Sequence, residues 1–162
     1  MSVSPRPIEL RFFPREGSAD KLIYYMPLKQ LNLWPERLDL PSRHFGVLLL
    51  CNGKAIPDPE ILTVAKVMIN QGLAYLCTWG PDCERVHDLF DETRGEYSES
   101  SINSDSVIMT TWHDESMEDA VCYFLYSTVG AGDYARTCKS WIVVPVESAD
   151  WAEAARRLAL EL

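Results

Sequence analysis

Residues able to do chemistry gather at the ends of two apolar runs. Thr78-Trp79-Gly80-Pro81-Asp82 and Thr111-Trp112-His113-Asp114-Glu115 both close a run with Thr-Trp and leave it through acidic residues. His113, Asp114 and Glu115 are candidates for acid–base catalysis, because an imidazole beside carboxylates can hold and pass a proton near neutral pH. Cys83 and His87 are a second candidate pair. They lie four apart, on one face if the segment is helical, and a thiol with a nearby imidazole is the minimum for an activated nucleophile. Asn52, Trp79, Asp82 and Trp112 are the expected binding residues: two indoles for a stacking wall, two polar groups for orientation.

Each candidate has a plainer role. Tryptophans at strand ends commonly pack as core under the next helix. Acids at helix starts already answer the helix dipole. Cys83 shares an inward spacing with Val86 and Phe90, which suits a buried, inert thiol. Cys77, Cys83, His87 and His113 do not have zinc-site spacing. Asp82 with His113, Asp114 and Glu115 would suit a hard divalent ion, but capping explains those acids equally well. Gly130-Ala131-Gly132-Asp133-Tyr134-Ala135 matches a dinucleotide fingerprint formally, yet no crossover helix fits before the next strand. No metal and no cofactor are therefore expected.

These residues need a frame to hold them. Residues 45–50 (FGVLLL) form an unbroken apolar run, as in a strand covered on both faces. Pro57-Asp58-Pro59-Glu60 opens a helix, with Asp58 as its cap, and Gly72 closes it. Further strands are predicted over 73–79, 107–112 and 141–146, with helices from Asp82 to about Arg94, from Ser116 and from Ser148. A polar loop is expected over 96–106 and a glycine-containing loop over 128–139. Strands alternating with helices imply parallel pairing and right-handed crossovers. The expected fold class is α/β: a three-layer α-β-α sandwich, Rossmann-like or flavodoxin-like, with a mostly parallel sheet of about four core strands. Residues 44–162 make this domain. Residues 1–43 are an extension packed on the core, whose strands at 8–12 and 21–26, with a turn over 14–20 between them, add to one sheet edge. Strand orders 2-1-3-4 and 3-2-1-4 fit equally. In either, ligands collect outside the carboxyl ends of the strands, where the Thr-Trp motifs lie.

The 162 residues are 47% apolar and 24% charged, with net charge −9. That charge opposes nucleic acid and anionic membranes as partners. Five cysteines, an odd number, and no secretory signal suit a reduced, cytoplasmic protein. The helical stretches at 61–70 and 117–126 carry apolar residues off their main stripes. Such surplus calls for a cover: residues 8–40, a second copy in a homodimer, or a protein partner. The expectation is a non-catalytic binding or protein-interaction module. The alternative is a small hydrolase- or transferase-type enzyme working at the strand ends.

Overall fold

β3 (His44–Leu50) takes the middle of the sheet because its side chains are apolar on both faces. Phe45, Val47 and Leu49 point into one core cluster, and Leu48 and Leu50 into another. β4 (Leu73–Trp79) and β6 (Cys138–Pro145) flank it, both parallel. The computed structural model describes residues 4–14, 20–98 and 107–162. The remaining strands there are β1 (Ile8–Phe13), β2 (Lys21–Tyr25) and β5 (Met109–His113), and the order across the sheet is β1-β2-β6-β3-β4-β5. Only the β1–β2 pair is antiparallel. Counting the four strands after residue 44 in chain order gives 3-2-1-4, the second of the two expected arrangements.

Five helices complete this mixed α/β fold among the described residues: α1 (Asp58–Gln71), α2 (Cys83–Ser98), α3 (Met117–Tyr126), α4 (Tyr134–Thr137) and α5 (Ala149–Glu161). α1 and α2 send Ile61, Val64, Met68, Val86 and Phe90 into the first cluster. α3 and α5 send Val121, Phe124, Ala155 and Leu158 into the second. No helix among the described residues is long and apolar enough to cross a membrane.

Several boundaries differ from expectation for local reasons. Pro57, not Asp58, holds the cap position of α1, which frees the Asp58 carboxylate for an ion pair with Arg85. α2 runs on through Gly95 to Ser98, past its expected end, because nothing crowds that turn and glycine alone costs a helix only about 1 kcal/mol. The remainder of the polar loop at 96–106, from residue 99, and the turn at 15–19 lie outside the described residues. α4 interrupts the loop expected over 128–139, and β6 begins at Cys138. The glycines of the formal dinucleotide motif precede β6 at its amino end, the wrong end for a ligand in a parallel sheet.

The surplus apolar surface of α1 meets the chain itself. Leu31 and Trp34 are buried, and Leu38 and Leu40 pack on the same cluster. Gln71 fastens this cover: its Oε1 accepts from the Trp34 indole (2.8 Å) and its Nε2 donates to the carbonyl of Pro35 (2.9 Å). On α3, Leu125 is buried, the Tyr126 ring meets Phe13 edge-on at 5.0 Å, and its hydroxyl donates to the carbonyl of Leu162 (2.6 Å). The helix faces thus have less need of a second copy than their sequences suggest.

Candidate functional site

A cleft of about 640 Å³ opens at the carboxyl ends of β4 and β5. Trp79 ends β4 and His113 ends β5, so pairing of these strands brings the two Thr-Trp motifs side by side. Beyond Trp79 the chain must turn sharply into α2. Gly80 takes φ 119° and Asp82 takes φ 59°, both left-handed, and Thr78 Oγ1 anchors the turn by donating to the carbonyl of Cys83 (2.9 Å). α5 closes the far side. Ser148 caps it by accepting from the Trp151 N–H (3.2 Å), which fixes Trp151 in the first turn and aims it at the cleft. The Trp151 and Trp79 rings stand 5.1 Å apart at 74°, and the Trp79 indole N–H donates to the carbonyl of Glu115 (2.8 Å). Trp112 remains 40% exposed.

The lining therefore combines Trp79, Trp112 and Trp151 with Asp82, Glu84, Asp114 and Glu115, and it contains no lysine or arginine. All four carboxylates are on exposed residues, so their charge faces water. His113 sits at the floor, 7% exposed. Its Nδ1 lies 2.8 Å from Glu115 Oε1 and its Nε2 lies 2.8 Å from Thr111 Oγ1, and its ring rests 4.5 Å from that of Tyr123.

Partial burial works against ionisation of Glu115, but its own backbone N–H and the His113 ring outweigh burial and hold its carboxyl below the ordinary value of 4.5. Glu115 ionises more readily in the folded chain than in the unfolded one. That difference stabilises the fold above about pH 4.5 and is lost as pH falls through the lower folded value. Glu115→Gln should accordingly lower the melting temperature at neutral pH, and the gap from the parent should narrow as the pH is taken down below 4.5. A gap that persists unchanged in acid would contradict this assignment.

Not every expected residue reaches the cleft. Trp79, Asp82, Cys83, Trp112, His113, Asp114 and Glu115 line it. Asn52 does not: its Oδ1 is spent accepting from the Lys54 N–H (3.2 Å) in the one-turn helix Gly53–Ala55. His87 turns the other way, with Nδ1 2.9 Å from Asp88 Oδ1 and Nε2 3.0 Å from Thr110 Oγ1. The Cys83–His87 pair is thus not formed. Cys83 is buried and its thiol donates to the carbonyl of His113 (3.3 Å). Burial pushes that thiol up, despite the pull of the same hydrogen bond, so it is no thiolate at neutral pH. Among the described residues, no group of three or more His, Cys, Asp and Glu comes together in a way that could hold a metal ion.

Three residues escaped the sequence reading. Trp151 and Glu84 line the cleft. Ser148 three residues ahead was a usable signal for Trp151, since a cap fixes which residues open the helix. Arg85 is the third. Its Nε donates to Asp82 Oδ2 (2.8 Å), it pairs with Asp58, and it donates to the carbonyls of Gly53 and Ile56, the latter at 2.8 Å. One guanidinium so joins the loops after β3 and β4 and fixes the edge of the cleft. An arginine on an outer helix face reads as solvated in sequence, and nothing local marks it otherwise.

The family described as a domain of unknown function (DUF7684) matches residues 23–161. This chain belongs to the DUF7684 family. The match takes in every strand from β3 to β6 and every residue of the cleft. Among curated proteins, none matches the chain.

Proposed function

We propose that this DUF7684 member is a non-catalytic binding module that takes a cationic group of its partner into the cleft. One observation carries the reading: three tryptophans and four carboxylates line the cleft, and no lysine or arginine does. Indole faces attract cations, and carboxylates at the rim raise their local concentration. The same lining repels phosphate, which suits a protein partner over nucleic acid or a lipid surface. A second copy seated on the apolar helix faces is a weaker version, since the chain covers much of them. The finer architecture belongs to this proposal: a three-layer, Rossmann-like sandwich, supported by α1 and α2 sharing one core cluster and α3 and α5 the other. So does a reducing, cytoplasmic setting, supported by five free cysteines, four of them buried.

An oligolysine peptide titrated into the protein should perturb tryptophan fluorescence, and the response should weaken as salt is added. The double variant Glu84→Lys/Asp114→Lys should lose about tenfold or more in affinity, as two reversed charges near a cation site imply. Unchanged affinity in that variant removes the basis of the proposal.

A second reading rests on the run Glu115–His113–Thr111, in which carboxylate, imidazole and hydroxyl stand in successive contacts of 2.8 Å. That is the order of an orienting acid, a base and a nucleophile, and it supports a small hydrolase or transferase. Against it, Thr111 Oγ1 donates to Cys77 Sγ (3.3 Å) and is absent from the cleft lining. Turnover of an activated ester that vanishes in Thr111→Val, with cation binding intact, would favour the enzyme.

A further inference from the structure

We infer that the group the cleft accepts is a quaternary ammonium, a rounded cation clothed in methyl groups. The inference rests on the cationic reading above and narrows it to one chemistry. The shape of the aromatic wall decides it. Trp79 and Trp151 stand at 74°, so they make a corner and not a parallel slot. A planar guanidinium stacks on one face or between parallel faces. A tetrahedral trimethylammonium instead offers a methyl to each wall of that corner, and Trp112 lines the same cleft.

Hydration points the same way. A primary ammonium is a compact, strongly hydrated charge with donors to satisfy. Two of the four carboxylates are already engaged: Asp82 holds Arg85, and Glu115 holds the His113 ring. A quaternary ammonium has no donors and sheds its water cheaply, so engaged carboxylates serve it by field alone. It draws on the indole faces, which is the best use of a cation–π site. Two sources share this chemistry: a trimethylated lysine side chain and a free small amine such as choline.

Calorimetric titration of the full chain tests the inference with four probes: Nα-acetyl-trimethyllysine methylamide, choline, the unmethylated lysine amide, and a neutral analogue with carbon in place of the quaternary nitrogen. The expected result is that at least one quaternary probe binds about tenfold or more tightly than the neutral analogue and the unmethylated lysine. Preference between trimethyllysine and choline then identifies the source. Trp112→Ala should erase the advantage, with circular dichroism and melting temperature unchanged because the ring is exposed, and Trp112→Phe should keep part of it. If unmethylated lysine binds as well as the quaternary probes, the inference falls and the cationic reading stands. If the neutral analogue binds equally, or no cation binds, both fall.

Discussion

Gly80→Ala is expected to destabilise the fold by about 3–5 kcal/mol, a fall of roughly 10 °C in melting temperature, and to distort the cleft. Two costs combine. Gly80 sits at φ 119°, where an L side chain is strained by about 1–3 kcal/mol. Its added Cβ would also stand 2.1 Å from the carbonyl oxygen of Cys51. That obstacle is backbone and cannot rotate away. Relief requires parting the loop after β4 from the end of β3, where the Cys51 N–H donates to the carbonyl of Trp79 (3.0 Å) and the Gly53 N–H to that of Pro81 (2.8 Å). Gly80 also lines the cleft, so the same movement displaces Trp79 and Asp82. Gly95→Ala is the control: a Cβ there meets nothing within 4 Å, and the helix should gain up to about 1 kcal/mol. Thermal melts of both variants decide the matter, and similar shifts in the two would refute the backbone argument.

Gly46→Ala should be nearly as damaging, for a different reason. Gly46 and Trp141 are paired residues on β3 and β6, and the indole lies directly over the glycine. An added Cβ would stand 2.1 Å from Trp141 Cε3. Trp141 cannot step aside. It is 1% exposed, wedged between Tyr75 (5.9 Å) and Phe124 (5.5 Å), with Lys21 Nζ 4.1 Å from its ring centre. A loss of about 2–4 kcal/mol follows from forcing atoms into so full a core. Trp141→Leu alone leaves a void and should cost about 3 kcal/mol. Together the two changes should cost less than their sum, because the smaller leucine makes room for the new methyl. Chemical denaturation of the two single variants and the double variant measures this coupling. Strict additivity would show that the glycine and the indole do not compete for space.

These effects mark where the sequence was readable and where it was not. FGVLLL and LAYLCTW announced central strands because both faces of such strands are covered, which leaves an apolar run with no alternation. β5 was blurred at its start because it is an edge strand, with Met109 and Trp112 exposed. The caps at Ser116 and Ser148 were legible because one hydroxyl settles each of them locally. Most of the cleft was legible for a similar reason. A parallel sheet delivers every strand's carboxyl end to one side, so the Thr-Trp motifs had to meet there. The contribution of Trp151 required knowing how α5 lies across the sheet, and that is a matter of tertiary packing. So were the true partners of Arg85 and the outward turn of His87. Spacing placed Cys83 and His87 on one helical face, but the Asp88 and Thr110 side chains claimed the imidazole.

The position of β6 also governs when the fold can form. It is the last of the described strands in chain order, yet it lies between β2 and β3, which pair with it and not with each other. Until residue 145 has left the ribosome, the growing chain carries two part-sheets, each with a long apolar edge turned to an absent neighbour. Closing them requires contacts between residues as far apart as Leu22 and Ser140, the slow kind of folding step. Exposed strand edges invite pairing with other chains in the meantime. Newly made chains therefore pass through a vulnerable interval that ends only when β6 slots home, and a chaperone that shields strand edges would act during that interval.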